Sequence, residues 1–183
     1  MNKYIGVYDS GLGGLTSVKQ LIKILPNENI IFFGDTLNVP YGSKTKEQII
    51  QYAYNNAEFL NTFNLKAMVV ACNTSDSYAR NILEEKYDFP IFGVIKPACE
   101  KAISISKNKI GVIATQATIN SNKYLNTINE LNEDIEVISI STPELVPMIE
   151  AGKFNFDNNE MRNILKEYLN QLDDIGTLIL GCT

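Results

Sequence analysis

Histidine is absent from all 183 residues, and arginine occurs only at Arg80 and Arg162. Without histidine the chain lacks the commonest general base and the commonest transition-metal ligand. The formal charge is −5 and the lysines are dispersed, which argues against a nucleic-acid surface. No apolar run approaches the length needed to cross a bilayer. The opening "MNKYIGVYDSG" enters a strand-like run almost at once and leaves no room for a signal peptide. These absences lead to the expectation of a cytoplasmic protein with no membrane and no nucleic-acid partner. Cysteine is scarce too: Cys72, Cys99 and Cys182 are widely spaced, with no C-x-x-C pair. That pattern fits neither a disulfide framework nor a zinc site, and reads as reduced thiols.

What is present is a globular chain, 45% hydrophobic, in which short apolar runs alternate with longer amphipathic stretches. Strands are predicted at 4–8, 30–34, 67–71, 90–95, 109–114, 135–140 and 177–181. Their continuous β-branched character suits strands buried on both faces of a parallel sheet. Helices are predicted near 14–25, 46–63, 74–87, 97–107, 117–131, 143–151 and 158–172, with caps at Thr45, Ser121 and Asp157. In the second of these, Ile49, Ile50, Ala53, Ala57 and Leu60 recur close to helical period. Strict alternation of strand and helix makes the fold class α/β with parallel sheets.

Sites in such sheets lie beyond the carboxyl ends of the strands. Two of these junctions are alike: "MVVACNTS" and "LILGCT" each run from an apolar strand through a small residue into Cys, and a Thr follows. This implies two similar units, each presenting a thiol at a strand end, with a boundary near 95–98. The domains are accordingly set at 1–96 and 97–183. Cys72 stands with a helix start directly behind it, where amide dipoles are expected to lower a thiol's pKa. Cys99 lies in the first turn of a helix, on a packing face, and reads as structural.

The other junctions are weaker. "DSGLGG" (9–14) lacks the third glycine of a dinucleotide loop, because Thr16 stands there, and Asp9 would repel a pyrophosphate. A tight glycine turn capped by Asp9 and Ser10 is the simpler account. Asp35 mimics the ribose-binding acid at the end of the second strand. "YGSKT" (41–45) lacks the upstream glycine of a phosphate loop.

Two thiols with neither histidine nor metal suit one chemistry: a base removes a proton from one face of a carbon and an acid returns one to the other. The segments "GVYDSGLGG", "GDTLNVPYG", "ACNTSDS", "GVIATQATINSNKY", "VPMIEAG" and "LILGCT" occur in order along the whole chain. On these the chain resembles the aspartate/glutamate racemase superfamily, and within it the glutamate racemases. The resemblance implies two similar parallel-sheet α/β domains with the active site between them. It implies a cofactor-independent two-base interconversion of L- and D-glutamate, supplying D-glutamate for peptidoglycan. The implied catalytic residues are Cys72, Cys182, Asp9 and Glu150. Asp9 also meets the substrate, as do Ser10, Tyr41, Gly42, Asn73, Thr74 and Thr183. Pro40 and Thr118 sit in matching motifs without an assigned role. The implied partner is a small-molecule substrate, and a homodimer is admitted. In the family, "GCT" continues into a histidine and further elements, so this chain is expected to lack a C-terminal portion and to be inactive alone. The alternatives are an aspartate or related amino-acid racemase of the same superfamily, or a catalytically degenerate glutamate-binding protein.

Overall fold

A computed structural model describes residues 3–106, 108–153 and 159–183. The described residues divide into two compact units: one runs up to Ile95 and includes Cys182–Thr183, the other is Lys96–Gly181. Each unit carries its own parallel sheet. Among the described residues no helix is long and apolar enough to cross a membrane.

The first unit contains β1 (Tyr4–Asp9), α1 (Leu15–Ile24), β2 (Asn29–Gly34), α2 (Lys46–Asn61), β3 (Leu65–Val70), α3 (Asn73–Lys86) and β4 (Ile91–Gly93). Its sheet has the order β2-β1-β3-β4, and every neighbouring pair is parallel. β1 is central and covered on both faces. Ile5 and Val7 pack with Ala71, Val18 and Leu21 on the α1 side. Tyr8 packs with Ala53, Ala57, Leu60, Ala79 and Leu83 of α2 and α3 on the other. This two-faced burial is why the strand reads as one unbroken apolar run instead of an alternating one. α2 begins on a complete capping box: Thr45 Oγ1 accepts from the Gln48 amide at 3.3 Å, and Gln48 Oε1 accepts from the Thr45 amide at 3.0 Å. Ile49, Ala53, Ala57 and Leu60 are buried, as their spacing predicts.

The chain passes between the units in the first turn of α4 (Ile95–Ile105). Asp76 of α3 holds the start of that helix. Its carboxylate accepts from the amides of Val94 at 2.7 Å and Ile95 at 2.8 Å, and Arg80 Nε lies 3.0 Å away. Only glycine fits opposite: a Cβ on Gly93 would lie 2.1 Å from Asp76 Oδ1.

The second unit contains β5 (Lys109–Ala114), α5 (Gln116–Asn120), α6 (Lys123–Leu131), β6 (Glu136–Ser141), α7 (Leu145–Glu150), α8 (Asn159–Leu169) and β7 (Thr177–Gly181). Its sheet has the order β6-β5-β7, again all parallel. One predicted helix differs. The span 117–131 is broken at Ser121–Asn122, where Asn122 takes φ 54°. A left-handed residue cannot continue an α-helix. Ser121 is therefore the C-cap of α5 and not the N-cap of α6, which is Asn122, although it still serves the first amide of α6. Its hydroxyl donates to the Thr118 carbonyl at 2.6 Å and accepts from the Lys123 amide at 3.1 Å, and Thr115 caps α5 instead. The cap expected at Asp157 lies outside the described residues.

Asp76→Ala is expected to destabilise the protein by about 2–4 kcal/mol, since a buried and a part-buried amide lose a charged acceptor. Urea unfolding measures this, and a loss below about 0.5 kcal/mol would show that water replaces the carboxylate without cost.

Candidate active site

Nearly all of the predicted site residues fall in the first unit, at the carboxyl ends of β1, β2 and β3. Glu150 belongs to the second unit, where it is exposed at the end of α7.

Cys72 occupies the N-cap of α3, directly after β3, and is buried. Its thiol donates to Ser10 Oγ at 3.4 Å. The helix-start expectation of a lowered pKa is overturned. Burial pushes the Cys72 thiol up, and the neighbouring Asp9 carboxylate adds to the rise by like-charge repulsion. The donors of Ser10 and Ser75, which favour the thiolate, work in the opposite direction and offset only part of it. The reason is that α3 starts in dry surroundings: Asn73, Thr74, Ser75 and Asp76 are all buried, so the helix end confronts protein and not water.

The glycine turn after β1 is explained by close approach. Asp9 Oδ2 accepts from the Gly11 amide at 3.0 Å, so Asp9 caps the turn as the simpler reading has it. A Cβ on Gly34 would lie 2.3 Å from the Gly11 carbonyl, and one on Gly14 would lie 2.6 Å from Asp9 Cβ. The glycines let α1 and β2 press against this acid.

Cys182 and Thr183 join the same end of the first sheet. Thr183 Oγ1 donates to the Ala71 carbonyl at 2.5 Å and accepts from Asn73 Nδ2 at 3.2 Å. A Cβ on Gly13 would lie 2.6 Å from the Thr183 carbonyl carbon. The residues on either side of Cys72 thus grip the residue that follows Cys182. Cys182 is exposed, whereas Cys72 and Cys99 are buried, and all three are thiols.

The "GDTLNVPYG" segment is held by a network that sequence reasoning missed. Tyr41 Oη donates to Asp35 Oδ2 at 2.5 Å, and Asn56 Nδ2 of α2 donates to Tyr41 Oη at 3.0 Å. Asn38 Nδ2 bridges both Asp35 oxygens, at 3.0 and 2.9 Å. Asp35 is therefore committed to this turn and has no part in holding a ribose. Burial and the Asp35 hydrogen bond push the Tyr41 phenol far up, so it remains protonated and donates. Gly42, next in the short 3-10 turn Tyr41–Ser43, is positioned by this anchor. The spacing Asp35-x-x-Asn38 at a strand end was the available signal, an acid followed three residues later by an amide. Asn56 is remote in sequence and carried none.

Among the described residues no group of three or more Cys, Asp or Glu side chains is placed to hold a metal ion. The arrangement instead offers a buried thiol beside a carboxylate, hydroxyl and amide donors around it, and a second thiol one residue from Thr183. Such a set can exchange a proton with a carbon acid.

The family described as Asp/Glu/hydantoin racemase matches residues 15–183. The chain is 45% identical over 183 residues to the glutamate racemase of Sulfurihydrogenibium sp. strain YO3AOP1, covering 98% of this chain and 70% of that one. The solved glutamate racemase of Francisella tularensis in complex with D-glutamate is 43% identical, with a TM-score of 0.93, over 99% of this chain and 68% of that one. The glutamate racemase isoform RacE1 of Bacillus anthracis is 40% identical, also with a TM-score of 0.93, over 98% and 68% of the two chains.

Asp9→Asn is expected to lower the pH midpoint for alkylation of Cys72, because the carboxylate is what its thiolate must oppose. Peptide-resolved iodoacetamide kinetics across pH measure it. An unchanged midpoint would mean that burial alone sets the thiol.

Proposed function

The chain belongs to the Asp/Glu/hydantoin racemase family, and on that premise we propose that it interconverts L- and D-glutamate with Cys72 and Cys182 as paired acid and base. The observation that supports this most directly is the gathering of Cys72, Asp9, Ser10, Asn73 and Cys182–Thr183 at one end of the first sheet. One cysteine, as thiolate, takes the α-proton, and the electron pair left on carbon delocalises into the substrate carboxylate. The other cysteine, as thiol, delivers its proton to the opposite face. The two sulfurs finish with exchanged protonation states, ready for the reverse reaction.

Cys72 rests as a thiol because burial and Asp9 disfavour its charge. An incoming substrate ammonium beside Asp9 cancels that repulsion and lets the thiol ionise only when substrate is present. Ser10, Tyr41, Gly42, Asn73, Thr74 and Thr183 supply donors for the substrate carboxylates. Glu150 assists Cys182. The D-glutamate formed serves peptidoglycan synthesis. Cys99, fully buried in α4, takes no part.

Cys72→Ser is expected to lower kcat for racemisation by about 10²–10⁴-fold, while Cys99→Ala stays within about twofold of the parent. Polarimetry on the full-length protein decides this. Equal losses would show that the structural thiol is misassigned, and turnover of aspartate alone would remove glutamate as the substrate.

The chain spans 61–70% of the length of the curated glutamate racemases it matches. Residues 1–183 expressed alone are expected not to sustain racemisation, since opposed thiols must be held to a fraction of an ångström. In deuterated water they should at most exchange the α-proton of one enantiomer with retention, as seen by NMR. Sustained conversion of L- to D-glutamate in proportion to the amount of this segment would refute the expectation.

A further inference from the structure

Two hydroxyls buried near Cys72 have no hydrogen-bond partner: Tyr8 Oη and Ser75 Oγ. Both residues are 0% exposed. A buried donor left unmade costs about 1–3 kcal/mol, and Phe and Ala would fill the same places without that cost. The resting arrangement gives these oxygens no role.

Their position supplies one. Ser75 is the third residue of α3, and Cys72 is its N-cap. At a helix start the third residue is the one turned back toward the cap side chain. The peptide N–H and the hydroxyl of Ser75 both favour a charged Cys72. Tyr8 comes from the neighbouring strand: it pairs with Val70, and its carbonyl accepts from the Ala71 amide at 2.9 Å. It belongs to the same core cluster as Ala79 and Leu83 of α3, and its phenol reaches the Ser75 hydroxyl's neighbourhood.

We propose that Ser75 and Tyr8 form a relay of donors completed when Cys72 loses its proton: the Ser75 hydroxyl turns onto Sγ, and the Tyr8 hydroxyl turns onto Ser75 Oγ. No proton passes along it, and both hydroxyls keep theirs. Burial holds the Tyr8 phenol well above its ordinary pKa, so it is always a donor. The relay is distinct from the Ser10 hydroxyl that the Cys72 thiol meets at rest. It answers the charges that face Cys72: Asp9 from β1 opposes the thiolate, Tyr41 stays neutral, and Asp76 is engaged by Arg80 and two amides. Ser75 and Tyr8 are thus positioning residues for the reaction proposed above, and the inference rests on that reading of Cys72.

The pH dependence of Cys72 alkylation by iodoacetamide tests it, followed by peptide mass spectrometry on the full-length parent, Ser75→Ala, Tyr8→Phe and Ser75→Thr. Ser75→Ala is expected to lower the thiolate fraction about three- to tenfold at pH values below the midpoint. Tyr8→Phe should act in the same direction by a smaller factor, and Ser75→Thr should keep the parent profile. A midpoint unchanged or lowered in Ser75→Ala overturns the proposal, and so does a Tyr8→Phe profile that superimposes on the parent. A Ser75→Thr profile shifted as far as that of Ser75→Ala would assign the effect to packing and overturn it equally. The readout is titration of one thiol and not turnover. Absence of glutamate racemisation with the expected shifts intact would therefore count against the proposed function and leave the relay standing.

Discussion

Everything at the candidate site turns on one constraint: the Cys72 thiol is buried beside a carboxylate that opposes its charge. Cys72 stands where β3 ends and α3 begins, and both burial and Asp9 oppose its charge. A surface thiol at a helix start would have been lowered by amide dipoles. Here the first turn of the helix is itself buried, so the field of the carboxylate and the loss of water outweigh the dipole. The surrounding donors, Ser10 and Ser75, make sense as answers to that difficulty.

The same constraint explains how tightly the surrounding turns are built. Asp9 can sit beside the thiol only because the residues that press on it have no side chains. Gly14 meets its Cβ and Gly34 meets the carbonyl of the same turn. Tyr41 and Gly42 are fixed from behind by Asp35, Asn38 and Asn56, so that loop enters the site already ordered. Asp76 spends its charge on the amides that open α4 and on Arg80, which leaves Asp9 as the negative group that matters to Cys72. Preorganisation of this kind is what makes weak carbon acids reactive, because the dipoles need not move when charge develops.

The α/β class and the parallel sheets were legible because unbroken apolar strands and amphipathic helices each follow from burial on a known face. Thr45 and Gln48 announced their helix through a local interaction three residues long. The break of that helix at Ser121–Asn122 was hidden for the complementary reason: Asn122 adopts a left-handed backbone, which no side-chain pattern in "TINSNKY" reveals.

By itself the sequence determined the order of elements, the strand-end placement of Cys72 and Cys182, and the motifs that carry the family resemblance, since each depends on residues close together in the chain. Only the tertiary structure decided which way the Cys72 thiol is shifted, because desolvation is a property of all surrounding elements at once. Only it brought Thr183 onto Ala71 and Asn73, 112 and 110 positions away. It also joined Tyr41 to Asn56 and left the hydroxyls of Tyr8 and Ser75 buried without partners. Contacts of that range have no periodicity to read.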